Sequence, residues 1–229
     1  MYRPARFISL EQSDLKIAVQ SAFAAALCLG LPAGLFFWLI IVQKSTSSHL
    51  TNTLVKFFQD YLVPPVMLEM LGAFGWGLLL SKISGYRQWW WLSIATMAGV
   101  RVGDFALYHG WLDQLVQAYA PPDLSLHARF GIILGITVLC VTVSTALLLG
   151  FALMNWKASL TLAANTGLAS VLAALLTLII LDILGIRVGG GNAAMPKATA
   201  AATMFAALVG GAILGVMFSH HARKEAEKG

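Results

Sequence analysis

Three ionisable side chains stand inside apolar runs. Glu69 lies in MLEMLGAFGWGLLL, and Arg101 and Asp104 lie in RQWWWLSIATMAGVRVGDFALYHG, residues 87–110. Helical spacing puts Arg101 and Asp104 on one face, in a stripe that reads Ser93, Met97, Arg101, Asp104 and Tyr108. Charge inside hydrocarbon needs a partner or water, so such groups mark either a functional site or a locked helix contact. The planar fork of an arginine can serve two carboxylates, and the pattern predicts that Arg101 bridges Asp104 and Glu69. Two acids against one arginine leave an excess negative charge if all three ionise. One acid then holds a proton, or a cation enters, and Glu69 is the candidate proton carrier. The competing reading is a salt bridge that only fastens helices together.

Secondary polar residues surround this cluster in the sequence. Tyr108 and His109 follow Asp104 at the end of the same stretch. Asp182 and Arg187 bracket the end of a later apolar run, and Asn165 sits within that run. An asparagine there can bond across helices, at modest energy. His109 and His127 are too far apart in sequence to argue for a metal, and no metal site or cofactor is assigned. The signatures HExxH, GxSxG and paired CxxC are missing, so catalysis is not the expected task and no catalytic residue is named. The loop VGGGNA at 188–193 lacks the Lys-Ser/Thr ending of a phosphate loop. Cys28 and Cys140 both fall in apolar runs, where a thiol acts as a small hydrophobe rather than half of a disulfide.

The elements that position these residues follow from composition. Of 229 residues, 59% are apolar and 11% charged. A soluble domain carries about 25% charged residues. The deficit lies in long apolar runs, so the chain is read as all-α and polytopic, with six transmembrane helices. They are placed at 18–42, 64–83, 87–110, 130–153, 158–184 and 198–218. Residues 1–17 form a cytoplasmic or interfacial arm, 18–218 the six-helix domain, and 219–229 a polar tail. One or two interfacial helices are expected on the outer side, at 50–62 and in the loop after residue 110. Gly211 and Gly215 form a small-xxx-small pair in helix six, and Gly72 and Gly75 give helix two a face for close approach.

The formal net charge is +5, but the basic residues sit mainly at the ends of apolar runs, where headgroups are met. No basic stripe interleaved with exposed aromatics argues for nucleic acid. Nine basic residues fall on the side that holds both termini in a six-crossing thread, and five on the other. That bias puts both termini in the cytoplasm. The expected location is a membrane, with the bacterial plasma (inner) membrane as the default. The expected partners are the lipid bilayer and other membrane chains, in a homo-oligomer or a hetero-complex. Two functions fit. One is a small permease, or permease subunit, that handles a proton, ion or small polar solute at Glu69, Arg101 and Asp104. The other is a non-catalytic structural or assembly subunit of a larger membrane complex, with Ala/Gly faces docked on partner helices.

Overall fold

The computed structural model describes residues 13–32, 65–108, 114, 118–119, 121, 126–153, 155–185 and 194–227. Most of the N-terminal arm, the amphipathic stretch 50–62, most of the loop after 108 and the glycine-rich connection lie outside the described residues. So do His109 and Arg187.

Six helices follow one another among the described residues. They are α1 Asp14–Ala25, α2 Pro65–Ser84, α3 Trp89–Tyr108, α4 Leu126–Ala152, α5 Trp156–Ile183 and α6 Ala194–Ala226. A π turn, Ala26–Gly30, continues α1. Local chemistry sets two of the starts. The Ser13 hydroxyl accepts a hydrogen bond from the Lys16 amide at 3.4 Å, so α1 begins inside the expected polar arm. Asn155 accepts from the Ala158 amide at 3.2 Å and caps α5. At the other end of the chain α6 runs on to Ala226, through most of the expected tail.

Consecutive helices pack side by side, and α6 closes the ring on α1. Glycines set how closely they approach. A Cβ on Gly77 of α2 would meet the backbone of Ser93 on α3. One on Gly99 of α3 would meet the backbone of Thr145 on α4, and one on Gly150 of α4 that of Ser159 on α5. Gly211 of α6 lies against Ala25, and Gly215 against Ser21, both on α1. These pairings run in opposite directions along each pair of helices, so neighbours are antiparallel. Hydroxyls fasten the same seams. Thr96 of α3 donates to the Ala73 carbonyl of α2 at 2.6 Å, and Ser159 of α5 to the Leu147 carbonyl of α4 at 2.8 Å. The Ser144 hydroxyl lies 2.7 Å from the Gly99 carbonyl of α3.

Six crossings are not what the structure supports. Among the described residues, three helices are long and apolar enough to cross a membrane: Gly131–Ala152, Trp156–Ile183 and Ala198–Glu225. The α-helical part of α1 has 12 residues before the π turn, about 18 Å of helix against a hydrocarbon core of about 30 Å. The helices α2 and α3, of 20 residues each, are not among these three. They also carry Glu69, Lys82 and Arg101. The even number of crossings therefore no longer argues for termini on one side. A different observation pairs the two ends of the bundle: Arg223 near the end of α6 lies 3.5 Å from Asp14 at the start of α1.

Side-chain size is sorted as a membrane requires. On α5 the buried residues are small, among them Ala158, Ser159, Ala163, Gly167, Ala173 and Ala174. Its exposed residues are large: Leu160, Leu168, Leu172, Leu176, Ile179, Ile180 and Ile183. Water would drive those aliphatic side chains inward; lipid lets them face out while small residues bring backbones together. The molecule is a helical membrane protein.

Candidate functional site

The sequence drew attention to α3, but α6 is the centre of the assembly. It touches α1 and its π turn, α2, α4 and α5, whereas α3 packs between α2 and α4. Small residues make this possible. Ala198, Ala202, Ala206, Gly210, Gly211, Gly215 and Ala222 are all buried along α6. Where α6 faces α2, α4 and α5, a cavity remains, with about 40 Å³ for the centres of water-sized molecules.

Three of the residues that line it bury a polar group with no hydrogen-bond partner among the described residues: the Trp76 indole nitrogen, the Thr166 hydroxyl and the Ser170 hydroxyl. All three residues are more than nine-tenths buried. Other hydroxyls on these helices behave differently. Thr137, Thr142, Thr145, Thr161, Thr177 and Thr203 each donate to the carbonyl one turn back, at 2.6–2.8 Å. That self-bonding is the default for a hydroxyl on an apolar helix. Thr166 and Ser170 depart from it. Ser170 is held against α6 by the absence of a side chain at Gly210, where a Cβ would meet its Oγ. Ser21, Ser93 and Ser219 also bury a hydroxyl without a partner among the described residues, but none of them lines the cavity.

The wall is otherwise apolar, with two further acceptors. Thr142 and Thr145 also line it, and their protons are already donated to the Val138 and Val141 carbonyls, which leaves oxygen lone pairs. The indole can only donate; Thr166 and Ser170 can donate or accept. No lining residue carries a charge. Leu29, from the π turn, completes one side. A π turn leaves a helix locally wide and often accompanies a site.

The residues singled out by charge lie elsewhere. Glu69 is half-buried on α2 and Arg101 is exposed on α3, and neither is without a partner. The α2–α3 register passes from Gly77 and Ser93 to Ala73 and Thr96. One more turn brings residue 69 level with residues 100–101. Glu69 is seven residues from Trp76, about 10 Å along α2. Asp104 and Tyr108 belong to α3, and their side chains are outside the described residues. Asp182 is exposed in the last turn of α5. Asn165 is exposed, and its amide donates to the Thr161 carbonyl of its own helix at 2.8 Å rather than across to another. Cys28 and Cys140 are free thiols. Among the described residues, no three of His, Cys, Asp and Glu gather to hold a metal.

Charge was the signal followed in the sequence, and Trp76, Thr166 and Ser170 carry none. Thr166 and Ser170 do stand four apart on a run of small residues, a spacing that shares one helix face. Known family models, characterised proteins and solved structures were compared with this chain, and none matches it.

Proposed function

We propose that this chain is a small permease, or the membrane-embedded subunit of one, and that its polar solute occupies the cavity at the centre of the helix ring. The observation that carries the reading is that Trp76, Thr166 and Ser170, each burying a polar atom without a partner among the described residues, line one cavity. A buried hydrogen-bonding group without a partner costs about 1–3 kcal/mol. Three on residues that line one cavity favour a polar solute that reaches them when the helices part. The alternative of a packing subunit needed Ala/Gly faces free for a partner chain. Gly211 and Gly215 are instead used against α1, and Ala202 and Ala206 pack with Ala174 and Leu178 of α5.

Glu69 and Arg101, with Asp104 further along α3, form in this reading a charged layer beyond the cavity. Its task is to attract and desolvate a solute rather than to hold it. The proposed setting is a bacterial plasma membrane with both chain ends in the cytoplasm.

Flux into proteoliposomes tests the function. Protein-containing vesicles are expected to pass small polar solutes faster than empty ones, and the double variant Thr166→Val/Ser170→Ala is expected to lose most of that excess. Excess flux that survives the double variant in folded protein removes the cavity from the route. Glu69→Gln tests the charged layer separately: unchanged flux would leave it a packing contact.

A further inference from the structure

The α2–α3 and α4–α5 turns carry positive charge that no neighbouring acid offsets. No aspartate or glutamate occurs from residue 70 to 103 or from 124 to 181, yet Lys82, Arg87 and Lys157 stand at these two turns. All three are exposed, and none makes an ion pair among the described residues. The described acids of this end belong to α1 and the end of α6. Asp14 faces Arg223, Glu225 has a partner of its own, and Glu227 follows the last turn of α6.

Both turns are held in place. Gly85 takes a φ of 72°, and the Tyr86 amide donates to the Ser81 carbonyl at 3.0 Å, which closes α2. The Tyr86 ring is buried against Phe218, so Arg87 leaves the bundle at a fixed point. On the other turn the Asn155 cap sets Lys157 in the first turn of α5. Gly99 of α3 meets Thr145 of α4, and two helical turns further along this antiparallel pair Leu92 and Ala152 share one apolar cluster. The starts of α3 and α5 therefore stand at one level.

Exposed indoles adjoin two of the cations. Arg87 precedes Trp89, Trp90 and Trp91, and Lys157 follows Trp156. Trp90 and Trp91 pack edge to face at 5.8 Å, and Trp156 lies against Phe151 at 5.7 Å. Indoles settle at headgroup depth. Exposed apolar side chains continue from there, with Ile94 on α3, Phe151 on α4 and Leu160 on α5. We infer that this corner binds an anionic phospholipid, with Arg87 and Lys157 as its phosphate-binding groups and the indoles beside its glycerol and upper acyl chains. The guanidinium fork matches phosphate oxygens, and the lysine adds a point charge. A zwitterionic headgroup brings its own ammonium to the phosphate and gains less from unpaired cations than one with net negative charge. The inference depends on neither the cavity nor transport.

Quenching of tryptophan fluorescence by brominated acyl chains tests it, because four of the seven tryptophans are exposed at this end. The full chain is placed in phosphatidylcholine vesicles. One minor fraction of the lipid is then replaced by brominated phosphatidylglycerol or, in parallel, by brominated phosphatidylcholine. The anionic lipid is expected to bind about fivefold more strongly, the scale of two exposed ion pairs. Arg87→Gln/Lys157→Gln should remove this preference, and Arg87→Lys/Lys157→Arg should keep most of it. Lys16→Gln/Lys224→Gln takes the same charge from the same end and should also keep it. Circular dichroism and size-exclusion chromatography confirm that each variant is folded. Absence of a preference in the wild type overturns the inference, as does a preference that survives Arg87→Gln/Lys157→Gln. Equal loss in the two glutamine pairs overturns it too, leaving only the diffuse field of the whole end. So does a preference abolished by inorganic phosphate at constant ionic strength, which would make the corner a soluble-anion site.

Discussion

A hydroxyl on an apolar helix ordinarily donates to the carbonyl one turn behind it, and most of those described here do. That makes the energetic consequences of two substitutions differ in sign. Thr96 reaches the Ala73 carbonyl of the adjoining helix at 2.6 Å, inside a fully buried contact. Thr96→Val removes that donor and is expected to cost about 1–2 kcal/mol. Thr166→Val removes a hydroxyl with no partner among the described residues, so in the absence of solute it should be neutral or stabilising. Thermal unfolding in a fixed detergent compares the two, and equal losses would mean that Thr166 is bonded after all. Glycines divide in the same way. A Cβ at Gly150 would run into the Ser159 backbone, whereas at Gly131 the nearest atom is the tip of Leu175 at 4.0 Å. Gly150→Ala should lower stability by about 1–3 kcal/mol. Gly131→Ala should raise it by up to about 1 kcal/mol through helix propensity alone. The melting temperatures should move in opposite directions. Charge reads directly from a sequence, and so Glu69 and Arg101 were found there. An absent hydrogen bond is a property of three dimensions, and so Thr166 looked like any other threonine on an apolar helix.

Helix identity was legible because runs of apolar residues are long and their ends are marked by polar residues; α4 and α5 fall close to their expected limits. What was not legible was the interruption of α1. Pro32, with Gly30 and Gly34, favours a bend midway along the run. The observed feature is a π turn at Ala26–Gly30. Pro32 has no N–H to offer the Cys28 carbonyl four residues back. Gly72 of α2 presses against the Cys28 carbonyl, while Gly30 lies against Met204 and Ala207 of α6. Two close approaches one half-turn apart flank the wide turn. A π turn is one residue more than the α-helical turn it replaces. Deleting Leu27, an exposed residue at this turn, would restore α geometry and rotate everything before it by about 100°. The Asp14–Arg223 contact and the Ser21–Gly215 seam would then face the wrong way. Leu27→Ala should leave folding and flux nearly unchanged, and the deletion should abolish the folded peak in size-exclusion chromatography. A deletion that folds like wild type would make the π turn an accident of the local sequence.

Across the whole molecule, the antiparallel ring collects the start of α1, the α2–α3 turn, the α4–α5 turn and the end of α6 at one end. Three contacts establish this. Asp14 meets Arg223, Tyr86 stacks edge-on with Phe218 at 6.2 Å, and Ala152, Leu153, Ala158 and Ala222 share one apolar cluster with them. The same end gathers Lys16, Lys82, Arg87, Lys157, Arg223 and Lys224, and the exposed indoles of Trp89, Trp90, Trp91 and Trp156. Indoles settle at headgroup depth, and lysine and arginine close to a crossing favour the cytoplasmic side. Whatever the number of crossings, Lys157 and Arg223 lie beside the ends of apolar helices long enough to span. The expected outcome is that this end faces the cytoplasm. A cysteine at Lys157, in a background with Cys28 and Cys140 replaced by alanine, should resist a membrane-impermeant maleimide in intact spheroplasts. It should react in inverted vesicles. Labelling from outside would reverse the molecule, and would put the charged layer of Glu69 and Arg101 on the cytoplasmic face of the cavity rather than the outer one.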